Sequence, residues 1–119
     1  MVIVVPGRPP SWNSIYSQNS YWKRKSIVDG VHENVHGVLL EMGIFPNKDK
    51  NLFKKKVKAH YVAYFKNRPQ DTSNVCEKVY EDALKGFVLI DDSPEYVGII
   101  SKESLIGLPE RMEIIIEEL

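Results

Sequence analysis

A single cysteine cannot close a disulfide within the chain. Cys76 stands alone and no Cys-x-x-Cys pair is present to hold structural zinc, which excludes a disulfide-stapled secreted scaffold and makes a reducing cytoplasm the expected setting. Long apolar runs are also missing. The opening Met1-Val2-Ile3-Val4-Val5 stops at Pro6-Gly7-Arg8, too short for a signal-peptide apolar region and far short of the ~20 residues that span a bilayer. A soluble protein with no membrane partner is expected. Net charge is absent too: 16 basic and 16 acidic residues cancel, which excludes a uniformly cationic binder and a highly charged disordered chain. Repeats and low-complexity tracts are likewise missing. What remains is 119 residues, 43% apolar and 27% charged, enough for one domain with one core, so residues 1–119 are read as a single domain.

Zero net charge conceals a division along the chain. Residues 1–45 carry an excess of one basic group. Residues 46–68 hold Lys48, Lys50, Lys54, Lys55, Lys56, Lys58, Lys66 and Arg68 against Asp49 alone. From Pro69 onward, twelve acidic residues face four basic ones. A basic middle followed by an acidic end suits a protein that grips a polyanion with one segment and presents carboxylates with another.

The periodicities predict an α+β domain in which two helices pack on one mixed sheet. Val2–Val5 reads as a short buried strand, ended by Pro6-Gly7, with Pro9-Pro10 forcing an extended stretch and a loop to about Asn19. Ile27, Val31, Val35, Val38, Leu39 and Met42 recur at helical steps, giving a helix from about Tyr21 to Met42 capped by Gly43. From Val57 the period becomes two. Val57, Ala59, Tyr61, Ala63 and Phe65 face one side, and a basic face with Lys56, Lys58, His60 and Lys66 is expected on the other. Val75, Cys76, Val79, Tyr80, Ala83 and Leu84 form the stripe of a second helix, with Ser73 or Asn74 as its cap, Glu77 in the capping-box position and Gly86 as its end. Phe87-Val88-Leu89-Ile90 reads as an interior strand ending at Asp91-Asp92. Two further strands, about Tyr96–Lys102 and Arg111–Glu117, are joined across Gly107-Leu108-Pro109.

Two constellations carry chemistry. His32-Glu33-Asn34-Val35-His36 matches His-Glu-x-x-His on a helix, where two imidazoles one turn apart bind zinc in a metallopeptidase; the competing reading is the polar flank of an amphipathic helix. The other consists of Asp71, Lys78 and Asp91-Asp92. Carboxylates converging from separate elements make the hard oxygen site that Mg²⁺ prefers, and a nearby lysine offsets charge on a phosphate. The ordinary alternative is a surface Lys78–Asp82 pair and a turn beginning at Asp91-Asp92.

Over nearly its whole length the chain resembles the RusA family of Holliday junction resolvases. Pro6-Gly7-Arg8-Pro9-Pro10-Ser11-Trp12-Asn13 is similar to that family's proline-rich turn after the first strand. Asp71-Thr72-Ser73-Asn74, Lys78, Asp82-Ala83-Leu84, Gly86 and Asp91-Asp92 are similar to its core signature, an Asp-x-Asp-Asn entering a helix, then Lys, Asp-Ala-Leu and a closing Asp-Asp. One acid is missing from the pattern. Matching Asp71 and Asn74 puts Ser73 where the second carboxylate belongs and leaves Lys78 one residue late; matching Lys78 and Asp82 puts Asn74 on the second acid and Thr72 on the first. The resemblance implies a homodimeric endonuclease that uses Mg²⁺, with Mn²⁺ as a substitute, to cut four-way or other branched DNA. It implies Asp71, Lys78 and Asp92 as catalytic residues and Asp71, Asp91, Asp92 and Asn74 around the metal. Lys54, Lys56, Lys58, Lys66, Arg68 and Asn13 are then the expected DNA contacts. The missing carboxylate makes a branched-DNA-binding relative that cuts poorly the competing expectation.

Overall fold

A computed structural model describes residues 1–46 and 52–119; Lys48, Asp49 and Lys50 of the basic tract lie outside the described residues. The elements run β1 (Val2–Pro6), α1 (Trp12–Tyr16), α2 (Tyr21–Glu41), β2 (Val57–Phe65), a 3₁₀ turn (Thr72–Asn74), α3 (Glu77–Leu84), β3 (Val97–Ile106) and β4 (Arg111–Glu118). The chain folds as one α+β domain on a four-stranded mixed sheet of order β1-β4-β2-β3, in which only the β2–β3 pair is parallel. A parallel neighbour requires a crossover, and α3 supplies it.

The alternation in β2 decides which face of the sheet is buried. Val57, Ala59, Tyr61, Ala63 and Phe65 all point inward, with Ile3 and Val5 of β1 and Met112, Ile114 and Ile116 of β4 beside them. Val31, Val35 and Leu39 of α2 and Val79, Tyr80, Ala83 and Leu84 of α3 cover this layer. No helix among the described residues is long and apolar enough to cross a membrane. At the end of α2, Gly43 adopts φ 77°; Ile44 N–H then reaches Leu39 O at 2.9 Å and Gly43 N–H reaches Leu40 O at 3.0 Å. This double bond satisfies the last carbonyls of the helix and folds buried Ile44 onto the core.

Four expectations need correction. Residues 12–16 form a short third helix where a loop was expected, because Ser11 and Ser14 exchange side-chain-to-backbone bonds in a reciprocal cap. Neither Ser73 nor Asn74 caps α3. Val75 goes extended to form an antiparallel bridge with Ser11, so the helix begins at Glu77, whose carboxylate bonds Lys102 Nζ at 2.9 Å. The run Phe87–Ile90 is not a strand, because Leu84 O accepts from the N–H groups of Phe87, Val88 and Leu89 and curls the backbone after Gly86. Its first three side chains still reach the core. Finally, β3 continues to Ile106, four residues beyond its expected end at Lys102, paired with β2 as far as Phe65.

Candidate active site

The outer edge of α3 carries Lys78, Asp82 and Lys85 at helical spacing. After the turn at Gly86 the chain returns and sets Asp92 against them. Lys78 Nζ donates to Asp92 Oδ2 and lies 3.1 Å from Asp82 Oδ1; Lys85 Nζ lies 2.9 Å from Asp92 Oδ2 and 3.4 Å from Asp82 Oδ1. Two ammonium groups therefore share two carboxylates. Hydrogen bonds from Lys78, then Lys85, hold the Asp92 carboxyl well below the usual carboxylate range, and the bond to Asp92 raises both lysines.

Glu81 closes the inner side of this cluster, and the sequence reading missed it. The residue is 1% exposed. Its Oε1 lies 3.9 Å from Lys78 Nζ, while Oε2 is buried with no hydrogen-bond partner among the described residues. Burial pushes the Glu81 carboxyl above its usual range against the pull of Lys78, and the charges of Asp92 and Asp82 push the same way. Tyr61, under α3, also has a buried hydroxyl without a partner among the described residues; burial raises it, and the Glu81 charge adds to the effect. The available signal was spacing, since Glu81 follows Glu77 by four residues and Lys78 by three, beside the apolar stripe.

The basic tract reaches this cluster through backbone pairing. Phe53 N–H donates to Val88 O at 2.8 Å, and Phe53 and Leu89 form a parallel bridge. Phe53, at the head of Lys54–Lys56, therefore sits beside the segment that continues into Asp91-Asp92, whereas Lys56 lies against Gly98 and Leu119 at the start of β2. The expected basic face of β2 is not continuous, however. Lys58 faces Glu117 at 3.5 Å, His60 Nε2 lies 2.6 Å from Glu103 Oε2 and Val62 is buried, because β3 and β4 bring acidic partners to the same rows. Lys66 and Arg68 are exposed at the far end of β2, roughly 30 Å from Lys56 at the rise of an extended strand.

Asp71, Asn74 and Asn13 form a separate group. The Ser11–Val75 bridge, the Cys76 thiol donating to Pro10 O at 2.9 Å and Gln70 Nε2 donating to Pro9 O at 3.2 Å tie the proline-rich turn to the segment entering α3. Asp71 is exposed and its side chain makes no capping bond. Asp91 is half-buried beside Asp92. Among the described residues, no three acidic, histidine or cysteine side chains converge closely enough to hold an ion by themselves, so any metal seat has to be built on fewer.

The His-Glu-x-x-His residues have a different occupation. His32 Nε2 donates to Val79 O at 3.0 Å and His36 Nε2 donates to Ala83 O at 2.9 Å, so a pair one turn apart on α2 grips carbonyls one turn apart on α3. His36 also stacks on Phe87 with ring centroids 4.5 Å apart. Each Nε2 is committed as a donor to a carbonyl oxygen, which makes the pair a clamp between helices and removes those nitrogens as zinc ligands. No protein-family model and no curated protein matches the chain.

Proposed function

We propose that the protein is a RusA-like, metal-dependent endodeoxyribonuclease that cuts four-way or other branched DNA as a homodimer. The observation that carries this reading is the Phe53–Leu89 bridge, which brings the head of the Lys54–Lys56 tract to the chain segment leading to Asp92, Lys78 and Lys85. The similarity of Asp71, Lys78, Asp82-Ala83-Leu84 and Asp91-Asp92 to the RusA signature supports it. Lys54 and Lys56 hold phosphates without reading base sequence, as recognition by junction shape requires. Lys78 and Lys85, already bonded to one anion, offset charge on a phosphate brought to Asp92.

The donors present are carboxylate oxygens, and a buried carboxylate oxygen without a partner adjoins them, which fits Mg²⁺ or Mn²⁺. Mg²⁺ characteristically takes one or two protein carboxylates and fills its remaining positions with water and substrate phosphate. Asp92 is the principal protein ligand in this reading, with Asp91 beside it, while Asp71 and Asn74 belong to the separate turn before α3. Such an ion supplies an acidified water and a positive charge at the phosphate. Asp92 would be free to hold the ion once both Lys78 and Lys85 turned from it toward phosphate.

Incubating the protein with a synthetic four-way junction in Mg²⁺ or Mn²⁺ tests the proposal. Paired symmetrical nicks are expected. Asp92→Asn is expected to abolish them while changing junction affinity by no more than about threefold, because affinity comes mainly from lysine–phosphate contacts. Tight junction binding without nicking in either metal establishes the branched-DNA-binding relative, the reading that Ser73 in place of an acid favours. Neither binding nor nicking overturns both.

A further inference from the structure

Glu81 is buried for a reason that the ion pairs around it do not supply. Removing a carboxylate from water is unfavourable unless both oxygens find partners, and an aliphatic side chain would fill this inward-facing position of α3 at less cost. Yet Glu81 is 1% exposed, Oε1 has only a 3.9 Å approach to Lys78 Nζ, and Oε2 has no partner among the described residues. The same ammonium bonds Asp92. The Lys78 ammonium thus lies between a buried carboxylate from inside the domain and a partly exposed one from the loop after α3, with Lys85 also on Asp92 at 2.9 Å and Asp82 also on Lys78 at 3.1 Å.

We infer that Glu81 and Asp92 form a two-carboxylate seat for a divalent metal ion, and that the ion and the Lys78 ammonium compete for it. The inference deepens the nuclease reading and rests on that reading for the seat's part in cleavage. Two hard oxygen donors with no sulfur or imidazole in the cluster select Mg²⁺ or Mn²⁺ over zinc or copper, and water completes the shell. Bound at Oε1, the oxygen that faces Lys78, the ion gives the buried Glu81 carboxylate a charged partner. An acidic oxygen from α3 itself then holds the ion together with Asp92.

Titrating the whole protein with Mn²⁺, without DNA, and following free Mn²⁺ by its paramagnetic resonance signal tests this. The wild type is expected to bind a single ion. Glu81→Gln and Asp92→Asn are each expected to weaken binding about tenfold or more, while Lys78→Gln strengthens it several-fold by removing the competitor. Glu113→Gln, which alters a carboxylate paired with Arg111 on the opposite face of the sheet, is expected to leave it unchanged. A misfolded variant could mimic the loss but not the gain, and unfolding curves in EDTA identify it. Glu81→Gln binding Mn²⁺ like the wild type, or a wild type that binds none, overturns the inference. Junction nicking by the wild type in the same metal decides the nuclease reading separately: nicking that survives Glu81→Gln at full rate overturns the seat alone, and no nicking by the wild type overturns the nuclease.

Discussion

At the scale of single residues, Glu81 and Asp92 titrate in opposite directions although both border Lys78. The depressed Asp92 carboxyl contributes stability above the ordinary carboxylate range, and that contribution disappears as pH falls through its lowered folded value. Two exposed ammonium partners make it worth no more than about 1 kcal/mol. For Glu81, burial raises the folded value, so the folded protein holds a proton there more tightly than the unfolded chain does. Its charged form opposes folding above that raised value, and the opposition fades as pH falls toward the ordinary value of 4.5. Glu81→Gln is therefore expected to stabilise the protein at pH 8 in EDTA and to change nothing at pH 3, where both states hold the proton; urea unfolding at the two pH values checks it. Cys76 gives a second prediction. Burial pushes its thiol up to about 12, so an aromatic disulfide reagent is expected to react at pH 8 only after denaturant is added. Lys78, Asp82 and Asp92 were legible because an apolar run ending in acids and a lysine four residues from an acid are local patterns. Glu81 was not, since whether a flanking helix position is buried depends on the strands beneath it, which come from elsewhere in the chain.

Among the elements, α2 was readable almost to the residue from its apolar spacing and Gly43, in spite of two interior glycines. Those glycines, Gly30 and Gly37, lie on the exposed side, and a methyl group added at either meets nothing within 4 Å. Gly37→Ala is accordingly expected to stabilise the protein by up to about 1 kcal/mol. Gly43→Ala, at φ 77°, is expected to cost about 1 kcal/mol. Opposite shifts of a few degrees in melting temperature check the pair. What escaped the sequence were segments whose form is set by distant partners. Phe87–Ile90 has the composition of a strand, but Leu84 O captures three of the following N–H groups before a ladder can form. Ser73 and Asn74 have the chemistry of caps, yet the bridge from Val75 to Ser11 displaces the helix start beyond them. The imidazoles of His32 and His36 match a catalytic motif, and only the position of α3 assigns them to its carbonyls.

At the scale of the whole molecule, the sheet leaves β1 and β3 at its edges. Along β3 and just beyond it, Ile99, Ile100, Leu105, Ile106 and Leu108 are exposed, with Ile106 at 61% and Leu108 at 66%. An edge strand that shows apolar groups on both faces invites another chain. The proposed homodimer is therefore expected to use this edge, and Ile106→Lys is expected to shift the protein from dimer to monomer in light scattering. Equal masses for the two forms would remove β3 from that role. The sheet order has another consequence. β1 has β4 as its sole neighbour in the sheet, and the two strands are separated by more than 100 residues of chain. Pairing Ile3 with Ile114 and Val5 with Met112 therefore closes a very long loop of chain, an entropic cost met before the contact offsets it. Before that closure α2 alone covers the apolar side of β1 and both strand edges stay unpaired, which makes β1–β4 pairing a slow, late step of folding.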